Sequence, residues 1–146
     1  MRIAGIDYGT VRIGIAVADT SVGIAGPFEN YTRRTEELDA EYFQQLVGLE
    51  SIDRFVVGLP VHLDGRESQK SIEARKFGDW LNLMTGVPVE FFDERFTTSE
   101  AERILEAANL TKKQRKARLD QLAAQIMLTA YLEAGGHGQD APGGIE

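Results

Sequence analysis

The chain has 146 residues, 42% of them hydrophobic and 27% charged, with no cysteine and a net charge of -7. That length suits one layered domain, and the missing cysteines exclude disulfides, thiolate zinc sites and cysteine nucleophiles. The negative balance argues against broad contact with nucleic acid, so any phosphate contact must come from a local basic patch or from bound cations.

Residues 2–7 form a short apolar run that ends at Asp7, as a buried strand would, and Tyr8-Gly9-Thr10 supplies a turn. Residues 12–19 alternate, with Ile13, Ile15 and Val17 on one side and Gly14, Ala16 and Ala18 on the other. A period of two predicts a strand, and the small residues leave room for close packing on their face. A third strand near 24–31 completes an antiparallel meander. Leu38, Tyr42, Phe43, Leu46, Val47 and Leu49 space like one apolar face of a helix over 36–49. Ile52 and residues 55–60 read as a strand stopped by Pro60, followed by a loop over 61–65. Residues 67–84 read as a helix with Ile72, Phe77, Trp80, Leu81 and Met84 inward and Gly86 placed to end it. Residues 87–92 are a strand with Pro88 near its start, ending at Asp93-Glu94-Arg95. Thr97, Thr98 or Ser99 caps a helix through about residue 108, and Ser99 with Glu102 has capping-box spacing. The basic stretch 112–118 leads into a last helix over about 115–134, stopped at Gly135-Gly136. Residues 137–146 read as a flexible C-terminal tail, leaving one domain over 1–136. The order β-β-β-α-β-α-β-α-α implies an α/β fold with a mixed five-stranded sheet, an antiparallel meander plus parallel strands, flanked by helices.

Asp7 stands at a strand end, where open α/β sheets place ligands; alone, it equally suits a turn carboxylate bonding backbone amides. Asp93-Glu94-Arg95 stands at another strand end, where a solvated loop or an internal ion pair is the ordinary role, and alternation does not choose between the two acids. Asp120 falls on the helical stripe of Ala123, Ala124, Met127 and Tyr131, away from Gln125, Thr129 and Glu133. A carboxylate facing a sheet needs a cation, a cap or a hydrogen-bond network. Oxygen ligands of this kind suit Mg²⁺ or Mn²⁺, and paired ions can activate water and stabilise a leaving oxygen in phosphodiester hydrolysis. Arg12, Arg66, Lys70, Arg75, Lys76 and the run from Lys112 to Arg118 are candidate phosphate contacts, although a run of that kind also serves as a solvated helix face. His62 and His137 have no metal-like partner spacing. The glycines form neither a P-loop nor a dinucleotide fingerprint, and no nucleophile elbow is present.

Four segments together resemble the YqgF family, also called RuvX. They are Ile6-Asp7-Tyr8-Gly9-Thr10-Val11-Arg12-Ile13-Gly14-Ile15-Ala16-Val17; Val56-Val57-Gly58-Leu59-Pro60 with Asp64-Gly65; Asp93-Glu94-Arg95-Phe96-Thr97-Thr98 with Glu100-Ala101; and Leu119-Asp120-Gln121-Leu122-Ala123-Ala124-Gln125-Ile126-Met127-Leu128. Each segment alone is weak; all four in order are specific. The resemblance implies a ribonuclease H-like fold and a metal-dependent endonuclease that matures the 5′ end of pre-16S ribosomal RNA. It carries the catalytic and metal-binding acids onto Asp7, Glu94 and Asp120, choosing Glu94 over Asp93. Thr10, Arg12, Arg95, Thr97, Thr98, Lys112, Arg115 and Lys116 are the expected substrate contacts, with Mg²⁺ or Mn²⁺ as cofactor. The chain departs from the family at Val61-His62-Leu63, where relatives often carry an asparagine, and at Phe96, where leucine is commoner.

The expected partner is RNA of the pre-ribosome, with structured DNA, a four-way junction, as the alternative substrate. A non-catalytic nucleotide- or RNA-binding assembly factor is the alternative from another class, because Asp7-Tyr8-Gly9-Thr10 also resembles the phosphate loop of actin-like ATPases. Those proteins pair two such domains around the nucleotide, whereas this chain has one. No run reaches the ~20 apolar residues of a membrane helix and no signal-peptide pattern opens the chain. The expectation is therefore a cytoplasmic protein with no membrane partner, acting as a monomer or weak dimer.

Overall fold

The computed structural model describes residues 1–60, 64–94 and 111–135, with the backbone alone for 112–120. Five strands form one sheet: β1 (Arg2–Asp7), β2 (Arg12–Asp19), β3 (Ile24–Thr32), β4 (Arg54–Leu59) and β5 (Val89–Asp93). Three helices are described: α1 (Glu36–Glu50), α2 (Gln69–Thr85) and α3 (Lys112–Glu133). The order across the sheet is β3-β2-β1-β4-β5. β1 pairs antiparallel with β2, and β2 with β3; β1 pairs parallel with β4, and β4 with β5. This is the mixed α/β sheet expected from the sequence. The helix expected near 99–108 and the tail at 137–146 lie outside the described residues. No described helix is long and apolar enough to cross a membrane.

Strand alternation sorts the core into two layers. Ala4, Ile6, Ile13, Ile15, Phe55 and Val57 face α1 and α2 in one cluster with Phe43 and Phe77. Ile3, Ala16, Ala18, Val56 and Phe92 face α3 in the other, with Ala124, Met127, Leu128 and Tyr131. The small residues of β1 and β2 explain how closely α3 approaches, since a Cβ on Gly5 would stand 3.0 Å from Leu128 Cβ. On the same face Arg54 Nη1 donates to the Tyr131 hydroxyl (2.8 Å), which donates to Glu90 (2.6 Å). That network ties α3 to the first residues of β4 and β5.

Local signals set the helix ends. The Thr35 hydroxyl accepts from the Leu38 amide (3.2 Å), Glu36, Glu37 and Asp39 occupy the first turn of α1, and Ser51 ends it in the left-handed region. Acids there complement the positive helix terminus. Ser68 caps α2 in a reciprocal arrangement with Ser71, and Gly86 ends α2 at φ 73°, as expected. α3 begins at Lys112, a turn earlier than expected, so the basic run is helical.

Phe43, Leu46, Phe77 and Leu81 are buried as expected, and the two helix faces depart from expectation only at their edges. Leu38 and Leu49 are exposed, Leu49 by 82%, while Asp39 is 1% exposed between them. The buried stripe of α1 runs Asp39, Phe43, Leu46, and the two leucines fall beside it at 3.6 residues per turn. Ile72 is likewise exposed; the buried stripe of α2 is Ser71, Ala74, Phe77, Gly78 and Leu81. A Cβ on Gly78 would stand 2.6 Å from the Phe91 ring, so the helix seats on β5 where a glycine lets it. Trp80, expected inward, is half-buried and lies partly against the core and partly in a cleft.

Candidate active site

Asp7 ends β1 and faces Gly14 across the antiparallel ladder. In the parallel ladders Ile6 pairs with Val57, Gly58 with Phe92 and Leu59 with Asp93. The carboxyl ends of β1, β4 and β5 therefore lie side by side. Side chains alternate across a sheet: Ile6 faces α1 and α2, Gly5 faces α3, and so Asp7 belongs to the α3 face. Phe92 belongs to that face too, which puts Asp93 on the opposite one and Glu94, just past the strand, back on the α3 side.

Glu94 reaches over β4. Its carboxylate lies against Gly58, where an added Cβ would stand 2.5 Å from Oε2 and 2.9 Å from Cδ. Any larger residue at 58 would occupy the carboxylate's position. Burial raises the Glu94 pKa first, the charges of Asp7 and Asp93 add to that, and Lys70 opposes them; the result is about 7, up from the usual 4.5. Asp7 and Glu94 thus converge closely enough that the Asp7 charge resists ionisation of Glu94. Asp93 is 8% exposed and its charge acts on Glu67 at the head of α2. The structure therefore gives the two neighbouring acids different surroundings, Glu94 over Gly58 and Asp93 toward α2.

Asp120 lies in α3, and its side chain is outside the described residues. The helix backbone places it on the stripe continued by Ala124, Met127 and Tyr131, all buried against the sheet. Tyr131 meets the starts of β4 and β5, and Leu128 and the Ala124 carbonyl lie over Gly5. α3 therefore runs toward the Asp7 end as it is traced back. Residue 120 lies about 6 Å along the axis beyond Ala124, matching the roughly 6.6 Å from Gly5 to Asp7 along β1. Among the described residues, no three His, Asp or Glu side chains gather as a metal ligand set. Asp7 and Glu94 supply oxygen donors whose mutual repulsion a divalent cation relieves, so this donor chemistry fits Mg²⁺ or Mn²⁺.

Of the expected substrate contacts, Thr10, on the turn after β1, and Arg12, the first residue of β2, are exposed. Arg95, Thr97 and Thr98 lie outside the described residues; Lys112, Arg115 and Lys116 are placed on α3 by backbone alone. Two candidate phosphate contacts are engaged within the fold: Arg66 pairs with Asp64 (2.7 Å) and Arg75 with Glu67 (2.5 Å). Lys70 and Lys76 are exposed on α2.

Sequence reasoning missed Arg33. Its amide donates to the Val11 carbonyl (2.9 Å), and Nη1 donates to the Tyr8 hydroxyl (3.1 Å) and Gly9 carbonyl (3.5 Å). The guanidinium covers the Tyr8 ring at 5.3 Å and pairs with buried Asp39 at 3.6 Å. One arginine from the β3–α1 loop thereby braces the turn that follows Asp7. Its signal was faint, a pair of arginines before the helix cap, and its partners are distant in sequence.

The RuvX family model, described as Holliday junction resolvase, matches residues 1–134. A protein of Rhodopirellula baltica named "Putative pre-16S rRNA nuclease" is 49% identical over 133 residues, spanning 91% of this chain and 77% of that protein. One of the same name from Halothermothrix orenii is 39% identical over 132 residues, spanning 90% and 94%. Among solved structures, Thermus thermophilus RuvC in complex with Holliday junction substrate superposes with a TM-score of 0.63 at 17% identity, over 94% of this chain and 98% of that one. The fowlpox virus Holliday junction resolvase does so with a TM-score of 0.50 at 13% identity, over 92% and 99%. At those identities the likeness to the solved structures is one of fold.

Proposed function

The chain belongs to the RuvX family, and on that premise we propose that it is a divalent-metal-dependent endonuclease that trims the 5′ end of precursor 16S ribosomal RNA. Asp7, Glu94 and Asp120 are its catalytic and metal-holding residues in this reading. The observation that carries it is the approach of Asp7 and Glu94 on one face of the sheet, at the carboxyl ends of β1 and β5 on either side of β4, with α3 bringing residue 120 toward the same end.

β1 and β4 are buried strands, so Asp7 stands on a rigid support, and Gly58 clears the space in which the Glu94 carboxylate lies. Below about pH 7 Glu94 keeps a proton, because burial and the Asp7 charge oppose its ionisation. Its loss leaves two carboxylates and a local excess of negative charge. Bound Mg²⁺ or Mn²⁺ would neutralise that excess, polarise the phosphoryl oxygen and activate water. Lys70, whose charge already acts on Glu94, and Thr10 and Arg12 on the adjoining turn hold the phosphates on either side. The relatives named for pre-16S rRNA support RNA as substrate. The family description supports a four-way DNA junction as the second reading.

The test is cleavage of a pre-16S 5′-leader fragment and of a four-way junction, each with Mg²⁺ or Mn²⁺, by the wild type and Asp7→Asn. We expect metal-dependent cutting of the RNA that falls at least ~100-fold in the variant, a barrier change of about 2.7 kcal/mol. Cutting that persists in chelator or in the variant would sink the assignment, and cutting of the junction alone would transfer it to DNA.

A further inference from the structure

A net charge of -7 means that the nucleic-acid surface of this chain has to be local. Past the end of β1, on the α1–α2 side of the sheet, lie two clefts that share Tyr8, Thr10, Val11 and Glu73 and so form one groove, connected to the carboxylate end through Lys70. The nearer, about 430 Å³, is flanked by Arg12 and by Lys70, the lysine whose charge acts on Glu94. The farther, about 650 Å³, runs between the β3–α1 loop and α2, past Arg33, Arg34, Lys76 and Trp80. Five cationic side chains line the groove against three carboxylates, Glu36, Asp39 and Glu73. Asp39 is buried and bonded to the Tyr31 hydroxyl (2.6 Å) and the Arg34 amide (2.8 Å). The groove thus carries a positive balance on an acidic molecule.

One wall of the groove is aromatic. Tyr8, Phe77 and Trp80 follow one another with ring centroids 5.1 and 5.4 Å apart. The Arg33 guanidinium lies over the first two of these rings, at 5.3 and 5.7 Å. Its contacts with Asp39, Tyr8 and Gly9 make it part of that wall. Arg12, Arg34, Lys70 and Lys76 are exposed. Cations along a channel beside aromatic faces are the recognition chemistry of single-stranded nucleic acid, whose bases are free to stack. A duplex keeps its bases stacked on one another and presents only phosphates and groove edges.

We propose that this groove holds the single-stranded stretch adjoining the scissile phosphate, with its phosphates along Arg12, Lys70, Lys76 and Arg34 and a base against Trp80. The link to a scissile phosphate rests on the nuclease reading above; the affinity of the groove for a single strand does not.

Trp80 is the one tryptophan in the chain, so its emission reports the groove directly. The full-length protein, wild type in chelator and Asp7→Asn with Mg²⁺, is titrated with a 12-nucleotide oligouridylate and separately with a blunt 12-base-pair RNA duplex. Fluorescence anisotropy of the labelled oligonucleotides runs in parallel. We expect saturable Trp80 quenching by the single strand in both proteins, and little change with the duplex. The surface double variant Arg34→Ala/Lys76→Ala should lower the slope of log K against log salt by about 1.4, at roughly 0.7 per lost single-strand phosphate contact. Trp80→Leu should weaken single-strand binding about 10-fold by anisotropy. A thermal melt of each variant verifies folding, and the exposed double variant keeps the test decisive if Trp80→Leu misfolds. Failure of the single strand to bind, binding without quenching, equal quenching by the duplex, or an unchanged salt slope would each overturn the groove. Groove binding with no metal-dependent cutting would sink the nuclease reading instead, and cutting without groove binding would do the reverse.

Discussion

Glu94 is where the chemistry of single residues is most exposed to test. Its carboxyl is raised to about 7 by burial and then by Asp7, so in the metal-free protein the folded state keeps a proton that the unfolded chain has already lost. Folding then takes up a proton between about pH 4.5 and 7, and stability falls as pH rises through that window. Urea unfolding in chelator should show the wild type losing stability between pH 5 and 8 relative to Glu94→Gln, by an amount on the order of 1–3 kcal/mol. An identical pH dependence of the two proteins would contradict this. Gly58 makes a second prediction. Gly58→Ala puts a methyl where Glu94 Oε2 lies, and because that atom ends a flexible side chain the carboxylate moves rather than the strand. Cleavage should drop 10-fold or more, in line with what misplacing a catalytic group costs, while the melting temperature changes by only a few degrees. Asp7 and the Asp93-Glu94 pair could be suspected from chain position, and Glu94 was singled out by the family resemblance. Gly58 could not be given a role from the sequence, because the residue it makes room for is thirty-six positions away.

Whole elements depend on how closely their faces fit. α3 packs on the small residues of β1 and β2, with Gly5 under Leu128. Gly5→Val would push the helix off the sheet, and overpacking of this kind costs about 1–3 kcal/mol. We expect a lower melting temperature with cleavage reduced as well, since α3 carries Asp120. α1 depends instead on a polar contact. Asp39 is buried, accepts from the Tyr31 hydroxyl and the Arg34 amide, and pairs with Arg33. Asp39→Ala removes the buried acceptor of the Tyr31 hydroxyl and the Arg34 amide and should cost about 1–3 kcal/mol in chemical denaturation. It should also loosen Arg33 and with it the turn after Asp7. Alternation made β2 and its small face legible in the sequence. The faces of α1 and α2 were legible at Phe43, Leu46, Phe77 and Leu81 and missed at their edges, because counting apolar residues favours Leu38 and Ile72 over the buried Asp39 and Ser71. A buried acid is recognisable only once its hydrogen-bond partners are in place.

For the molecule as a whole, overall charge and local charge point in opposite directions. A divalent cation that binds the folded carboxylate site and not the unfolded chain must stabilise the fold by mass action. Mg²⁺ or Mn²⁺ should therefore raise the melting temperature of the wild type at pH 8, above the Glu94 pKa, and leave Asp7→Asn nearly unchanged. An equal shift in both would place the cation elsewhere. The order of elements, the meander followed by parallel strands and the family were all readable from the chain, because strand alternation, capping residues and short motifs are local. The parallel pairing that sets Asp7, Gly58 and Glu94 side by side was not local, and neither was the bracing of the Tyr8-Gly9 turn by Arg33. Nor was the groove in which cations scattered over residues 12 to 76 gather beside Tyr8 and Trp80. The sequence by itself determined which elements form and which acids to suspect, through periodicity and motif. The tertiary structure decided which acids meet, what neighbours shift their ionisation, and where an acidic chain turns positive. Distance, burial and field belong to residues that are neighbours in space and far apart along the chain.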